Sequence, residues 1–287
     1  MHLGLSTSVL GLRALPEGLA LLAECRTDGA PWVEIHGYVT EEFDYADAGL
    51  VAATARALAR HGLRLWSCHS PADPPLDVTA LDREVVATSL RVMQQAMQAA
   101  ADLGAQVFVC DAMGRSPQTP EERAARQAVL AASAARLQED ADRLGLRLVI
   151  ENHSWPEAVF KTPQDFLALA GRAGLDRLGA CWDTGHGWIT GQAPHTAARL
   201  GARLVTLHVH DNTGQRDLHL VPTEGTAPWE GFVPALRAAG YDGPLMFELG
   251  APHPATPEAV RAVLRRAVAA YRRLLADAEP RDGPAVR

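Results

Sequence analysis

The stretch Leu204–His219, LVTLHVHDNTGQRDLH, joins a strand pattern to an unusual density of reactive side chains. Side chains on a strand point to opposite faces with a period of two, so Thr206, His208 and His210 share one face. Val205, Leu207 and Val209 share the other, and an apolar face of that kind needs burial. His208, His210, Asp211, Asp217 and His219 then fall within twelve residues. A strand with one apolar face and one histidine-bearing face suits the inner end of a barrel. A polar loop after an ordinary strand is the plainer reading, with imidazoles that only make hydrogen bonds, and the other strands must decide between the two.

Those strands recur with a regular rhythm. Short apolar runs alternate with longer amphipathic ones eight times: Leu3–Ser8, Trp32–Gly37, Arg64–Ser70, Gln106–Asp111, Arg147–His153, Leu178–Asp183, the stretch from Leu204, and Pro244–Leu249. Between and after them the pattern predicts helices over Pro16–Cys25, Ala48–His61, Leu81–Leu103, Pro120–Gly145, Pro163–Gly174, Ala193–Leu200, Glu230–Ala239 and Pro257–Ala276. Proline at a helix start and glycine just past its end are the expected punctuation. Eight strand-then-helix units predict an α/β chain closed into a single (β/α)8 TIM barrel over residues 1–278, with a loose tail at 279–287. A doubly wound open sheet would carry a glycine-rich phosphate loop after its first strand; SVLGLRALPEG lacks GxGxxG, and no nucleotide cofactor is expected.

Composition narrows the function classes. The chain is 47% hydrophobic and 21% charged, ordinary for a globular protein. With 27 basic and 34 acidic side chains it carries a net charge of −7, which counts against a broad electrostatic grip on nucleic acid without closing off a local basic groove. Lys161 is the single lysine, so Schiff-base chemistry is not expected. Cys25, Cys68, Cys110 and Cys181 are widely spaced and show no CxxC, which points to reduced thiols and a cytoplasmic location. Neither a signal peptide nor a membrane span is expected, and a homo-oligomer is possible.

In such barrels the chemistry sits at the C-terminal ends of the strands. Glu34 and His36 fall at the end of the second run, His69 at the third, Cys110 and Asp111 at the fourth, and Glu151, Asn152 and His153 at the fifth. Asp183 and His186 follow the sixth, His208 and His210 end the seventh, and Glu248 ends the eighth. Acidic groups converging on one mouth repel one another, and a divalent cation removes the conflict. Glu151, Asp183, His208 and Glu248, on four neighbouring strands, are the expected metal ligands, for Mn²⁺, Mg²⁺, Co²⁺ or Zn²⁺. His186, Asp217 and His219 either hold a second ion or bind substrate and orient other ligands.

The runs VIENH, CWDTGH, HVHDN…DLHLVPTEGTAPW and GYDGPLMFELG resemble the xylose-isomerase-like barrels, a superfamily of sugar (phosphate) isomerases and epimerases, inosose dehydratases and family 2 AP endonucleases. The resemblance covers essentially the whole chain and is specific to the superfamily rather than to one activity. It implies the same four metal ligands, and it implies that Glu151 and Glu248 act as acid and base on opposite faces of a substrate that His186 helps to bind. The expected activity is isomerisation or epimerisation of a small polyhydroxy carbonyl compound through a metal-stabilised enediolate. His69, His186, Arg216, His219 and Trp155 are the expected substrate contacts; Trp188 and Trp229 are further candidate walls, and His210 is expected to lie nearer solvent in a supporting role. A zinc-dependent AP endonuclease-like phosphodiesterase and an inosose-type dehydratase are the alternatives. The endonucleases supply a histidine at strand four where this chain has Cys110-Asp111, and no basic or aromatic cluster here suits a bent duplex.

Overall fold

Prolines and glycines bracket the helices largely where the sequence puts them. The computed structural model describes residues 1–277 except 12–14, 28, 38–42, 73, 113–118, 157, 173, 251–253 and 255; the expected tail at 279–287 lies outside the described residues. Among the described residues eight strands alternate with eight α-helices: β1 (Leu3–Ser6), α1 (Leu15–Ala23), β2 (Trp32–Ile35), α2 (Ala48–His61), β3 (Arg64–His69), α3 (Arg83–Asp102), β4 (Val107–Cys110) and α4 (Pro120–Leu144) form the first half. The second half comprises β5 (Arg147–Glu151), α5 (Pro163–Ala170), β6 (Gly179–Asp183), α6 (Thr184–Ile189), β7 (Leu204–His208), α7 (Phe232–Ala238), β8 (Leu245–Phe247) and α8 (Pro257–Ala276). Thr119 and Thr162 cap α4 and α5 in reciprocal capping boxes with Glu122 and Asp165, each followed by proline. Left-handed Gly62 and Gly145 close α2 and α4.

One expected helix differs. The segment Pro194–Arg203 is a 3-10 helix, broken at Gly201, and a short α-helix precedes it directly after β6. The reason is Asp183: its carboxylate accepts from the His186 N–H at 2.6 Å, capping a helix that starts as soon as the strand ends.

All strand pairs are parallel, in the order β7-β6-β5-β4-β3-β2-β1-β8. A parallel bridge between Val209 and Phe247 joins the two ends, with the Val209 N–H donating to the Met246 carbonyl at 2.7 Å. The fold is a single (β/α)8 barrel. Outward-facing Leu148, Ile150, Leu207 and Val209 pack under the helices, while Val107, Val109, Val149 and Cys181 form a smaller cluster of their own. Strict alternation on β7 fails at one residue. A register shift pairs Cys181 with Thr206 and skips Val205, which packs with the smaller cluster rather than with Leu207 and Val209. A matching shift on the other side pairs Glu34 with Ser67 and skips Trp66. The two skipped segments meet across the barrel, where the Trp66 indole donates to Thr206 at 3.0 Å.

The long loop after β7 is folded around Asp211. This buried carboxylate accepts from the backbone N–H groups of Asn212, Thr223 and Ala227 at 2.8, 2.9 and 3.1 Å, and from the Trp229 indole at 2.8 Å. Paired backbone bonds between Asp211 and Leu220 close the loop back on its own start. Any side chain at Gly225 would collide with Asp211 and with the Asn212 carbonyl, so glycine is needed there.

Two outcomes follow from this packing. Asp211→Ala leaves three N–H groups and an indole without their acceptor, and is expected to lower the unfolding free energy by about 2–4 kcal/mol in urea titration. All four cysteines are free and buried. Burial, with Glu24 nearby, pushes the Cys25 thiol up to about 11, and burial also raises Cys68, Cys110 and Cys181. Native protein at pH 8 should therefore release almost no thionitrobenzoate from Ellman's reagent, whereas protein in guanidinium releases the full complement of four thiols.

Candidate metal centre at the barrel mouth

Glu151 ends β5, Asp183 ends β6, His208 ends β7, and Glu248 follows β8 by one residue. All four are buried, and one donor atom from each lies within 4.8 Å of the others. His208 Nδ1 is the hub: Glu151 Oε1 is at 3.0 Å, Glu248 Oε2 at 3.2 Å and Asp183 Oδ2 at 4.0 Å. Three carboxylates this close in a dry space need positive charge among them. Burial pulls the His208 pKa down, but Cys181, Glu151, Glu34 and Glu248 around it drive it well above the usual imidazole value. Burial pushes the Glu151 carboxyl up, yet the charge of His208 and hydrogen bonds from His186, His208 and His69 hold it well below the carboxylate range. The donor set therefore suits a divalent cation, which would supply the charge that protonated imidazole otherwise brings.

Further imidazoles serve the individual carboxylates. His69 Nε2 lies 3.1 Å from Glu151 Oε2, and its Nδ1 lies 2.9 Å from the Ser70 carbonyl. His36 Nε2 lies 3.0 Å from Glu248 Oε1. His210 Nε2 lies 2.9 Å from Asp183 Oδ2, and His210 is wholly buried, not nearer solvent as expected. The loop after β7 explains the difference, because it lays the His219 ring flat on His210 with centroids 4.1 Å apart and 6° between planes. Gly185 makes room for the His210 ring, since a Cβ there would run into it.

Of the second expected set, Asp217 contacts both imidazoles, but among the described residues His186, Asp217 and His219 are not one of the groups at metal-ligand spacing; His219 falls in such a group with His210 and Glu248. Asp217 Oδ2 sits 3.1 Å from His186 Nε2 and 3.2 Å from His219 Nε2. His186 Nδ1 is 2.9 Å from the Asn152 carbonyl, so its Nε2 faces the carboxylate. Burial lowers the His219 pKa, but Asp217 and Glu248 outweigh it and raise it to about 9. Beside Glu151, Asp111 contacts His153, and these three offer another group with metal-ligand spacing. Cys110 is turned into the apolar core, so strand four presents Asp111 and not a thiolate.

The remaining predicted residues separate. Trp155 is 40% exposed and stacks at 6.3 Å on His153, at the rim of the mouth. Arg216 is exposed on the loop beside Asp217. Trp188 donates to Thr226 at 3.0 Å. Trp229 is no wall: it is buried and bonded to Asp211 inside the loop. One residue absent from the expected ligand and substrate sets stands close to the centre. Glu34, fully buried on β2, contacts His208 Nε2 at 3.1 Å. Its place at a strand end was visible in the sequence, but the register shift that pairs it with Ser67 was not.

Among solved structures, the chain is similar to a D-tagatose 3-epimerase-like protein, with 19% identity, a TM-score of 0.79, and 96% of this chain and 97% of that chain covered. It is also similar to a Thermus thermophilus protein, TTHB071, whose crystals were soaked with ZnCl2, with 25% identity, a TM-score of 0.67, and coverage of 94% and 99%. The uncharacterized protein y4fM of Sinorhizobium fredii is 38% identical over 85 residues, covering 29% of this chain; the match spans only 27% of that curated relative's length. The pattern of one protein family matches residues 22–267, a span that holds β2 through β8 and every carboxylate and imidazole of the mouth from Glu34 to Glu248; the chain belongs to the xylose isomerase-like TIM barrel family.

Proposed function

We propose that the protein is a divalent-metal-dependent isomerase or epimerase of a small polyhydroxy carbonyl compound. The observation that supports this reading is that two buried glutamates, Glu151 and Glu248, share one four-donor centre around His208 Nδ1. Glu151, Asp183, His208 and Glu248 would hold the cation. When bound, it would act as a Lewis acid on neighbouring carbonyl and hydroxyl oxygens and acidify the C–H between them.

Glu151 removes the carbon-bound proton and Glu248 returns one from the opposite side, or the reverse, according to which face the substrate presents. His69 steadies Glu151 Oε2 and His36 steadies Glu248 Oε1, so each glutamate turns its second oxygen toward the centre at His208 Nδ1. His186 and His219 bind substrate hydroxyls, Arg216 reaches the substrate from the loop, and Trp155 offers an apolar wall to the carbon chain. The similarity to a D-tagatose 3-epimerase-like protein supports a sugar substrate, and the ZnCl2-soaked structure supports a site open to zinc.

A second reading has its own observation. Beside the four-donor centre, His210 with His219 and Glu248, and Asp111 with Glu151 and His153, form further groups at metal-ligand spacing, which a zinc-dependent phosphodiesterase would fill with additional ions.

Metal analysis separates these readings: a single tightly held ion is expected, and three zinc ions with cleavage of abasic-site DNA would favour the hydrolase. Removing the metal with EDTA should lower Tm, and restoring Mn²⁺ or Zn²⁺ at about 100 times its Kd should return roughly 2.7 kcal/mol of stability. Asp183→Asn should lose that metal-dependent gain. Glu151→Gln and Glu248→Gln should each reduce turnover about 10²–10⁴-fold, read by NMR in D2O with a panel of ketoses and inososes. Deuterium uptake by an otherwise unchanged skeleton is expected; loss of water would make the enzyme a lyase, and full activity in Glu151→Gln would overturn the assignment.

A further inference from the structure

Glu34 has no part in the roles assigned above, yet it is a fully buried acid within reach of the centre. Its Oε2 accepts from the Ser67 hydroxyl at 2.6 Å and lies 3.1 Å from His208 Nε2, and its Oε1 also lies 3.1 Å from that nitrogen. The carboxylate therefore straddles one edge of the imidazole. On the other edge, Nδ1 faces Glu151, Glu248 and Asp183. Glu34 belongs to none of the groups, among the described residues, whose donor atoms gather at metal-ligand spacing.

A buried acid is costly unless its partners return the lost solvation. Glu34 Oε1 makes no hydrogen bond of its own, so the burial gains little by way of stability. What the arrangement does provide is orientation. An imidazole carries one proton when neutral, and a carboxylate on one ring nitrogen fixes that proton there and leaves the opposite lone pair free. The register shift between β2 and β3 is what brings Glu34 level with Ser67, so the strand geometry itself is bent to build this contact.

We propose that Glu34, braced by Ser67, is the positioning residue for His208: it holds the ring proton on Nε2 and turns Nδ1 toward the three carboxylates as a ready metal donor. Ser67 fixes the carboxylate, the carboxylate fixes the ring, and the ring completes the centre. The inference rests on the metal-dependent reading given above and adds to it the residue that sets which nitrogen binds.

The test compares wild type, Glu34→Gln and Glu34→Leu for Mn²⁺ affinity by electron paramagnetic resonance titration and Zn²⁺ affinity by chelator competition, with Tm recorded for each. Glu34→Leu is expected to weaken binding about 10–100-fold. Glu34→Gln, whose Oε1 still accepts from Nε2–H, should retain most of the affinity, a rescue that a purely space-filling role would not predict. In Zn²⁺-loaded wild type labelled with ¹⁵N-histidine, the ring lost in His208→Asn should carry its proton on Nε2. Should Glu34→Leu fail to fold, that tautomer decides, and a proton on Nδ1 overturns the proposal. Wild type that binds metal while Glu34→Leu binds equally tightly overturns this inference alone; wild type that binds no divalent cation overturns the functional reading beneath it.

Discussion

Three carboxylates, Glu151, Asp183 and Glu248, press on one imidazole nitrogen of His208 in a space closed to water, and that electrostatic conflict governs the upper half of the barrel. Negative groups 3–4 Å from a common point cannot coexist there without positive charge. The chain answers in two layers. His208 sits at the centre, and His69, His36, His186 and His210 each approach a carboxylate from outside. Against the effect of burial, His208, His186 and His69 hold Glu151, and His208, His219 and His36 hold Glu248, well below the usual carboxylate range, so both are ionised at neutral pH and suited to take up a cation.

Holding such a cluster in place demands rigidity around it. The Asp211 hub supplies it on one side, gathering backbone N–H groups from distant parts of the loop so that Asp217 and His219 arrive beside His186. His219 adopts a left-handed backbone conformation, φ 45°, where a non-glycine residue is strained. That strain is held by the stacking on His210 and by bonds from the ring to Asp217 and to the Glu248 carbonyl. On the other side, the two register shifts set opposing strands so that Asp183 pairs with His208 and Glu34 with Ser67. Neither shift alters the strand order, yet each decides which side chain faces the centre.

The legible part of the site was the part carried by strand ends. Glu151, Asp183, His208 and Glu248 could be found because each closes an apolar run, and barrels present their chemistry at that point. The DLH loop was legible as a cluster, since Asp217 and His219 are two residues apart and reach one point. Other features were hidden because they depend on contacts distant in sequence. His210 looked peripheral until the loop was seen to cover it, and Trp229 looked like a substrate wall until its indole was found on Asp211. Glu34 and His208 are separated by 174 positions, and no local pattern links them.

Taken alone, the chain determined the eightfold alternation, the proline helix starts at Pro120 and Pro163, the glycine stop at Gly145, and the presence of acids and imidazoles at successive strand ends. These are local matters of periodicity, capping and turn chemistry, and they act over a few residues. Only the tertiary structure decided the pairing of those groups: which carboxylate meets which ring nitrogen, which histidine is sealed in, and which strand slips by one residue. Such choices are made when the sheet closes on itself, because closure alone brings β2 within hydrogen-bonding reach of β7 across the barrel.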